Sequence, residues 1–297
     1  MNQIQREHTA LLRGAFEEYL RYINETSLEP GGPLLSYDFD FDFLKYRKWH
    51  GLAETMVGCD LRELTNLING WGNSLCRWHA WSLVLKDRDE KTSWELRSEF
   101  LDSLAHECLL KPSSIRDIIT SIATSAFHQV RLSIDQSYPD YLHGEPKTPN
   151  EKPKWLKQKE KEKRLSSVVN IWPDSSRFLE HLHKINTDDY ISTTQNYRNL
   201  TSHSIGPRLG IGHTRTVRRT VNPAMTLKPV EGDCYEKVIV PGKMSVSYGF
   251  GGTPPLDLEA VRASNLEQYM KARSCYVEYR ALLEATVIEI ASTESAA

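Results

Sequence analysis

Apolar residues along this chain recur mostly with helical spacing, and the exceptions fall in two stretches. Over residues 4–24, Ile4, Leu11, Leu12, Ala15, Phe16, Tyr19 and Ile23 form one helical stripe, and Glu29-Pro-Gly-Gly-Pro33 stops it. Residues 61–85 carry the clearest seam: Leu61, Leu64, Ile68, Trp71, Leu75, Trp78 and Leu85 alternate spacings of three and four, with Ser82 interrupting. A helix over about 93–110 takes Thr92 or Ser93 as its cap and is broken by Pro112. The next is capped by Ser113 or Ser114 and buries Ile115, Ile118, Ile119, Ile122, Ala126, Phe127, Val130 and Ile134. A fourth begins near Asp174 or Ser175 and carries Phe178, Leu179, Leu182, Ile185, Tyr190 and Ile191 toward Arg198, with Thr187-Asp-Asp189 as a place where it can divide. The last spans about 257–292 and puts Leu266, Tyr269, Arg273, Tyr276, Arg280, Leu283, Val287 and Ile290 on one seam. Arg273 and Arg280 there read as stems snorkelling at a helix edge, or as parts of a polar site or dimer interface.

The first exception is Ser36-Tyr-Asp-Phe-Asp-Phe-Asp-Phe43, a strict alternation of aromatic and acid that predicts an extended segment with one aromatic face. As a calcium loop it fails, because the sixth position is Phe43 rather than Gly and the twelfth is Trp49 rather than Glu. The second exception is 214–250, where TRTVRRTV, YEKVIV and MSVSYGF are short alternating runs between Pro/Gly turns; Thr253-Pro-Pro255 closes them. The pattern predicts a mainly α chain: an up-and-down helical bundle with a small β-hairpin insert. Its expected parts are an N-terminal helix and extended arm (1–60) and a bundle (61–292). The bundle is interrupted by a charged linker (138–164) and a β-rich insert (204–256). Within the linker, 147–164 holds eight Lys/Arg against three Glu, which suits a solvated linker with a short charged helix, or an RNA-backbone contact.

Composition narrows the function classes. Hydrophobic residues at 39% and charged residues at 26% can build an ordinary globular core. A formal net charge of −2 advertises no global affinity for nucleic acid, so any such contact must come from a local patch. The five cysteines are scattered without a C-x-x-C pair, which favours a reducing compartment. The N-terminus lacks an apolar h-region and no run of 18 apolar residues occurs. A cytoplasmic protein without a membrane partner is therefore expected.

The chemistry concentrates in Tyr197-Arg198-Asn199-Leu200-Thr201-Ser202-His203. Arginine offers a permanently charged fork of donors to phosphate oxygens, and histidine exchanges a proton near neutral pH. An arginine with a histidine five or six positions on also occurs at Arg177/His183 and Arg208/His213, and roughly two such matches arise by chance in a chain of this size. Only Arg198 is followed by a polar residue; Phe178 and Leu209 hold that place in the others.

The segment resembles the R-x4–6-H signature of the HEPN superfamily, helical ribonucleases and nucleotide-handling domains of toxin–antitoxin, phage-defence and CRISPR systems. The order of long helices, motif and further long helix is similar to its up-and-down bundle over roughly 61–292; residues 1–60 and 204–256 have no counterpart in the minimal domain. The resemblance implies a homodimer in which two motifs face one cleft, with RNA as substrate and an inhibitory or activating protein as a further partner. His203 would activate the ribose 2′-OH or protonate the leaving oxygen. Arg198 would hold the scissile phosphate and Asn199 would orient it. The product would be a 2′,3′-cyclic phosphate, with no metal or cofactor needed. Arg208, Arg215, Arg218 and Arg219, with His213, form the densest basic cluster and are the expected RNA-binding rim, or a solvated hairpin. If 214–221 is a strand, Arg215 and Arg219 share one face and Arg218 the other. His181 and His183, two apart on a helix, point to different sides and suit no joint metal site. Cys76 and His79 lack a second ligand pair at zinc spacing and read as packing. Gly206, Gly210 and Gly212 form no dinucleotide fingerprint.

Overall fold

A computed structural model describes residues 3–25, 34–232 and 234–292; the stop expected at residues 29–33 lies outside them. The helices in chain order are α1 (Gln3–Glu25), α2 (Ala53–Leu85), α3 (Glu90–Leu96), α4 (Asp102–Ile134), α5 (Gln158–Val169), α6 (Ser175–His183), α7 (Asp188–Thr193), α8 (Tyr197–His203) and α9 (Leu258–Val287). Strands β1 (Val217–Val230) and β2 (Cys234–Phe250) pair antiparallel. The protein is mainly α. It divides into two compact units, Met1–Thr193 with Glu259–Ala297, and Thr194–Leu258.

In the larger unit the seam of α2 is the core. Val57, Leu61, Leu64, Ile68, Trp71, Leu75 and Trp78 are all buried, as their spacing demands. Tyr19 of α1 stacks on Trp81 at 4.7 Å, and Trp81 stacks on Phe100 at 4.3 Å. The acid–aromatic segment forms no strand over 34–41 and leads into a 3-10 turn at Asp42–Leu44. It is held instead by Asn69, which accepts from the Leu35 amide (2.8 Å) and donates to the Leu35 carbonyl (3.0 Å). Buried Phe41 carries the Arg280 guanidinium 5.5 Å from its ring centre, which accounts for one arginine on the α9 seam.

Pro112 was expected to end a helix and does not: α4 runs through it for 33 residues. The break falls earlier, at a π turn over Arg97–Leu101. A proline cannot donate to the carbonyl four residues before it, here Cys108. Asn265 of α9 supplies the missing donor, with Nδ2 2.9 Å from the Cys108 oxygen. The same amide donates to the Tyr190 hydroxyl (2.8 Å) and accepts from Trp71 Nε1 (2.8 Å). Tyr190 in turn donates to the Leu109 carbonyl (3.3 Å). Asn265 is fully buried, and its amide joins α2, α4, α7 and α9.

The lysine-rich run forms a helix, but one face of it is core: Leu165, Val168 and Val169 of α5 are buried, and Leu156 anchors the preceding loop. Arg116 of α4 grips buried Glu162 of α5 with two bonds (2.7 and 3.1 Å) and donates to the Ile185 carbonyl (2.7 Å). Burial works to raise the Glu162 carboxyl, but bonds from Arg116 and Gln158 outweigh it and hold it below the ordinary 4.5. The helix expected from 174 toward Arg198 divides at 184–187, next to the Thr187-Asp-Asp189 where a division was foreseen, and again at 194–196; Asn186, Gln195 and Asn196 adopt left-handed backbone there (φ 53°, 50° and 56°).

Two predictions follow from these networks. Asn265→Ala orphans Trp71 Nε1 and the Cys108 carbonyl, so it should cost about 3 kcal/mol in a urea titration. Pro112→Ala restores a backbone donor to Cys108. In the Asn265→Ala background it should therefore recover about 1 kcal/mol that it does not contribute in wild type; strict additivity would rule out the compensation. For Glu162, a depressed carboxyl stabilises the fold above its unfolded pKa, and that contribution is lost as pH falls through the folded value. Glu162→Gln should lower stability near neutrality by about 1–2 kcal/mol and leave a shallower acid limb; parallel pH profiles for the two proteins would contradict this.

Candidate functional site

The smaller unit, Thr194–Leu258, holds the arginine–histidine motif and the hairpin. The chain approaches the motif through Gln195 and Asn196, consecutive non-glycine residues in left-handed conformation. That conformation is tolerable for Asn and strained for Gln, and such strain collects at functional sites. α8 then occupies seven residues, Tyr197–His203. At 3.6 residues per turn, Tyr197 and Thr201 lie on one side. Tyr197 is buried, and the Thr201 hydroxyl donates to the Tyr197 carbonyl (2.8 Å). Gly206 fits closely behind, since a methyl group there would lie 2.6 Å from Thr201 Cγ2.

The other side of α8 is an exposed arc that runs, in angular order, Arg198, Ser202, Asn199, His203. Arg198 and His203 are roughly 140° apart around the axis. Asn199 lies between them, one turn before His203. The Arg198 guanidinium donates to Asn199 Oδ1 (2.9 Å), which draws its charge toward the histidine side of the arc. Asn199 is thus placed to orient the arginine. Leu200, at the far end of the arc beyond His203, leaves the motif and lines a cleft.

That cleft, ≈ 520 Å³, is lined by Gln195 and Leu200 together with Arg215, Arg218, Arg219, Thr220 and Thr253. Three arginines line one concavity in a chain that is slightly acidic overall, an arrangement that suits an anion. Their positions are fixed locally. Arg215 has φ 54° and lies before β1, so it departs from the expected strand alternation, and it donates to the hydroxyl of Ser204, next to His203. Arg218 donates to Thr253 Oγ1 (2.9 Å). Arg218 stands opposite Gly249 and Arg219 opposite Tyr248, on opposite faces of the hairpin as alternation requires. Backbone bonds between Thr214 and Thr253 (3.1 and 2.7 Å) and from Leu256 to Arg208 (2.8 Å) brace the base of the hairpin.

The structure therefore brings Arg215, Arg218 and Arg219 to one cleft beside α8. Arg208 is not among the lining residues; its stem lies against Gly212, where a methyl group would come within 2.9 Å of Arg208 Cδ. The spacing Arg177/His183 leads elsewhere: Arg177 pairs with Glu278 (2.7 Å), and His183 lies 3.6 Å from Glu162. Cys76 is buried, which pushes its thiol up; burial and Arg262 push His79 down. Sequence reasoning missed Gln195, Ser204 and Thr253. Gln195 and Ser204 give no local signal, and Thr253 was read only as the end of the insert. Comparison with family models, with curated proteins and with solved structures finds no match to this chain.

Proposed function

We propose that this chain is a metal-independent endoribonuclease of HEPN type that cleaves RNA to 2′,3′-cyclic phosphate ends, acting as a toxin or phage-defence effector. The observation that carries the reading is the exposed arc Arg198–Asn199–His203 on α8, bordered by a cleft with three arginines. Phosphate groups of a single strand dock on Arg215, Arg218 and Arg219 by charge and without sequence preference. His203 takes the ribose 2′-proton or returns one to the leaving 5′-oxygen. Arg198, steadied by Asn199, neutralises the charge that grows on the scissile phosphate.

The separation of Arg198 and His203 around α8 shapes this proposal. In-line cleavage wants both a base and an acid, and one copy supplies one histidine. Two copies facing each other across a two-fold axis supply a complete set, the arginine of one beside the histidine of the other. The same separation favours a second reading, a non-catalytic HEPN-like module that binds RNA, nucleotide or a protein partner. Cleavage assays decide between them.

With total RNA in EDTA, wild type should cleave, and His203→Ala and Arg198→Ala should each lose about 100-fold or more. An equimolar mixture of the two variants should stay below about a tenth of wild-type activity, because each mixed dimer holds one histidine and lacks either the base or the acid. Unchanged cleavage by His203→Ala, or dependence on added Mg²⁺, sinks the mechanism. A mixture that regains about a quarter of wild-type activity would show that one arginine–histidine pair suffices, against the two-histidine set.

A further inference from the structure

The hairpin is an amphipathic ribbon whose apolar face is exposed. Cross-strand pairing fixes which residues share a face within each half of the hairpin, and the alternation along β1 joins the halves across a register shift between Pro223 and Met225. One face carries Val217/Phe250, Arg219/Tyr248, Val221/Val246, Pro223/Met244, Met225/Ile239, Leu227/Lys237 and Pro229/Tyr235. The other carries Arg218/Gly249, Thr220/Ser247, Asn222/Ser245, Thr226/Val238 and Lys228/Glu236, ending in Val230/Cys234. Ten large apolar side chains of the first face are 48–98% exposed. They present on the order of 1,000 Å² along a ribbon about 45 Å long, where a monomer's largest apolar patch is normally about 300–600 Å². A lone two-stranded sheet has no core of its own, so this face is built for a partner.

The charges on the face select the partner. Arg219 and Lys237 stand on it, and no carboxylate does; Glu236 is on the opposite face and Glu231 lies in the turn. A second copy docked face to face would bring two more cations and no acid. Addition of a strand at the edges is obstructed by Pro223 and Pro229 on β1 and Pro241 on β2, which cannot donate a ladder bond. The two cations sit toward the ends of the face, and Tyr248, Phe250 and Tyr235 flank them. Aromatic rings at the ends, cations whose stems can snorkel and an apolar middle match the interface of a bilayer with an anionic surface.

We propose that the apolar face of the hairpin, centred on Val221, Val246, Met225 and Ile239, docks on an anionic lipid bilayer as a flat amphipathic ribbon. The Thr/Ser/Asn face is left to water. The expectation of no membrane partner came from looking for apolar helical runs, and a face with period two escapes that criterion. Among the described residues no helix is long and apolar enough to cross a membrane, and surface docking needs none.

The test is flotation of the full chain with vesicles of 7:3 phosphatidylcholine:phosphatidylglycerol or of phosphatidylcholine alone. Wild type should partition onto the anionic vesicles at least about 10-fold more strongly, and added salt should weaken this. Val221→Asn/Val246→Asn, a facing pair on the apolar side, should lose about 10-fold or more. Asn222→Ala/Ser245→Ala, the adjacent pair on the polar face, should bind like wild type, and Lys237→Ala should lose about 5-fold. Circular dichroism and thermal midpoints of the variants should match wild type, since all these side chains are exposed. Binding unchanged by Val221→Asn/Val246→Asn overturns the proposal and points to another surface, as does equal binding to both vesicle types. A dimer in light scattering that Val221→Asn/Val246→Asn dissociates, with no lipid binding, overturns it in favour of a second copy.

Discussion

The buried amide of Asn265 is the constraint on which the rest of the structure hangs. Its polar atoms meet two groups that would otherwise be orphaned in a dry core, Trp71 Nε1 and the Cys108 carbonyl freed by Pro112, and also the Tyr190 hydroxyl, which donates onward to the Leu109 carbonyl. Such groups are costly when unpaired and modest when satisfied, so the network acts as an all-or-none lock more than as a sum of bonds. Its position links fold to function. Tyr190 lies just before the point where the chain leaves the larger unit at Thr193, and Asn265 just after it returns at Glu259. One hydrogen bond of 2.8 Å therefore ties together the two stems from which the motif-bearing unit grows.

Within that smaller unit, seven residues of helix do two jobs. Tyr197 and Thr201 hold α8 down, which turns Arg198, Asn199 and His203 outward together. The strained lead-in at Gln195 and Asn196 separates α8 from α7, so the motif is isolated on a short helix of its own. The hairpin that follows has two separate chemistries. Its base lines the cleft with Arg215, Arg218 and Arg219, while the apolar face continues along its length beyond Val217 and Arg219, the residues of that face that line the cleft.

Much of this was legible in the sequence because period reports burial directly. The α2 seam, the hairpin and the last helix were read from spacing, and the structure places them within a few residues, except that α2 begins eight residues earlier than its seam, at Ala53. The failures share a cause. Pro112 obeys a local rule that a partner 157 residues away overrides, and no periodicity reveals Asn265 as that partner. The lysine-rich run looks solvated because its charges outnumber Leu165, Val168 and Val169, yet those three and the Arg116–Glu162 pair decide its packing. The first division of the stretch from 174 to 203, before Asp188, was legible in Thr187-Asp-Asp189, but the second rests on left-handed Gln195 and Asn196, of which only the asparagine hints at it. At the candidate site, residue types gave the motif. What sequence could not give is angular placement: the arc on α8, the exclusion of Arg208 from the cleft and the departure of Arg215 from strand alternation.

The proposed reaction of His203 and Arg198 is transesterification through the ribose 2′-hydroxyl. Its direct test is to map the ends of RNA cut by the purified chain in EDTA. Transesterification leaves 2′,3′-cyclic phosphate and 5′-hydroxyl ends, and does not cleave at a site whose ribose is 2′-deoxy. Ends bearing 3′-hydroxyl and 5′-phosphate, or equal cleavage at the 2′-deoxy site, would contradict it.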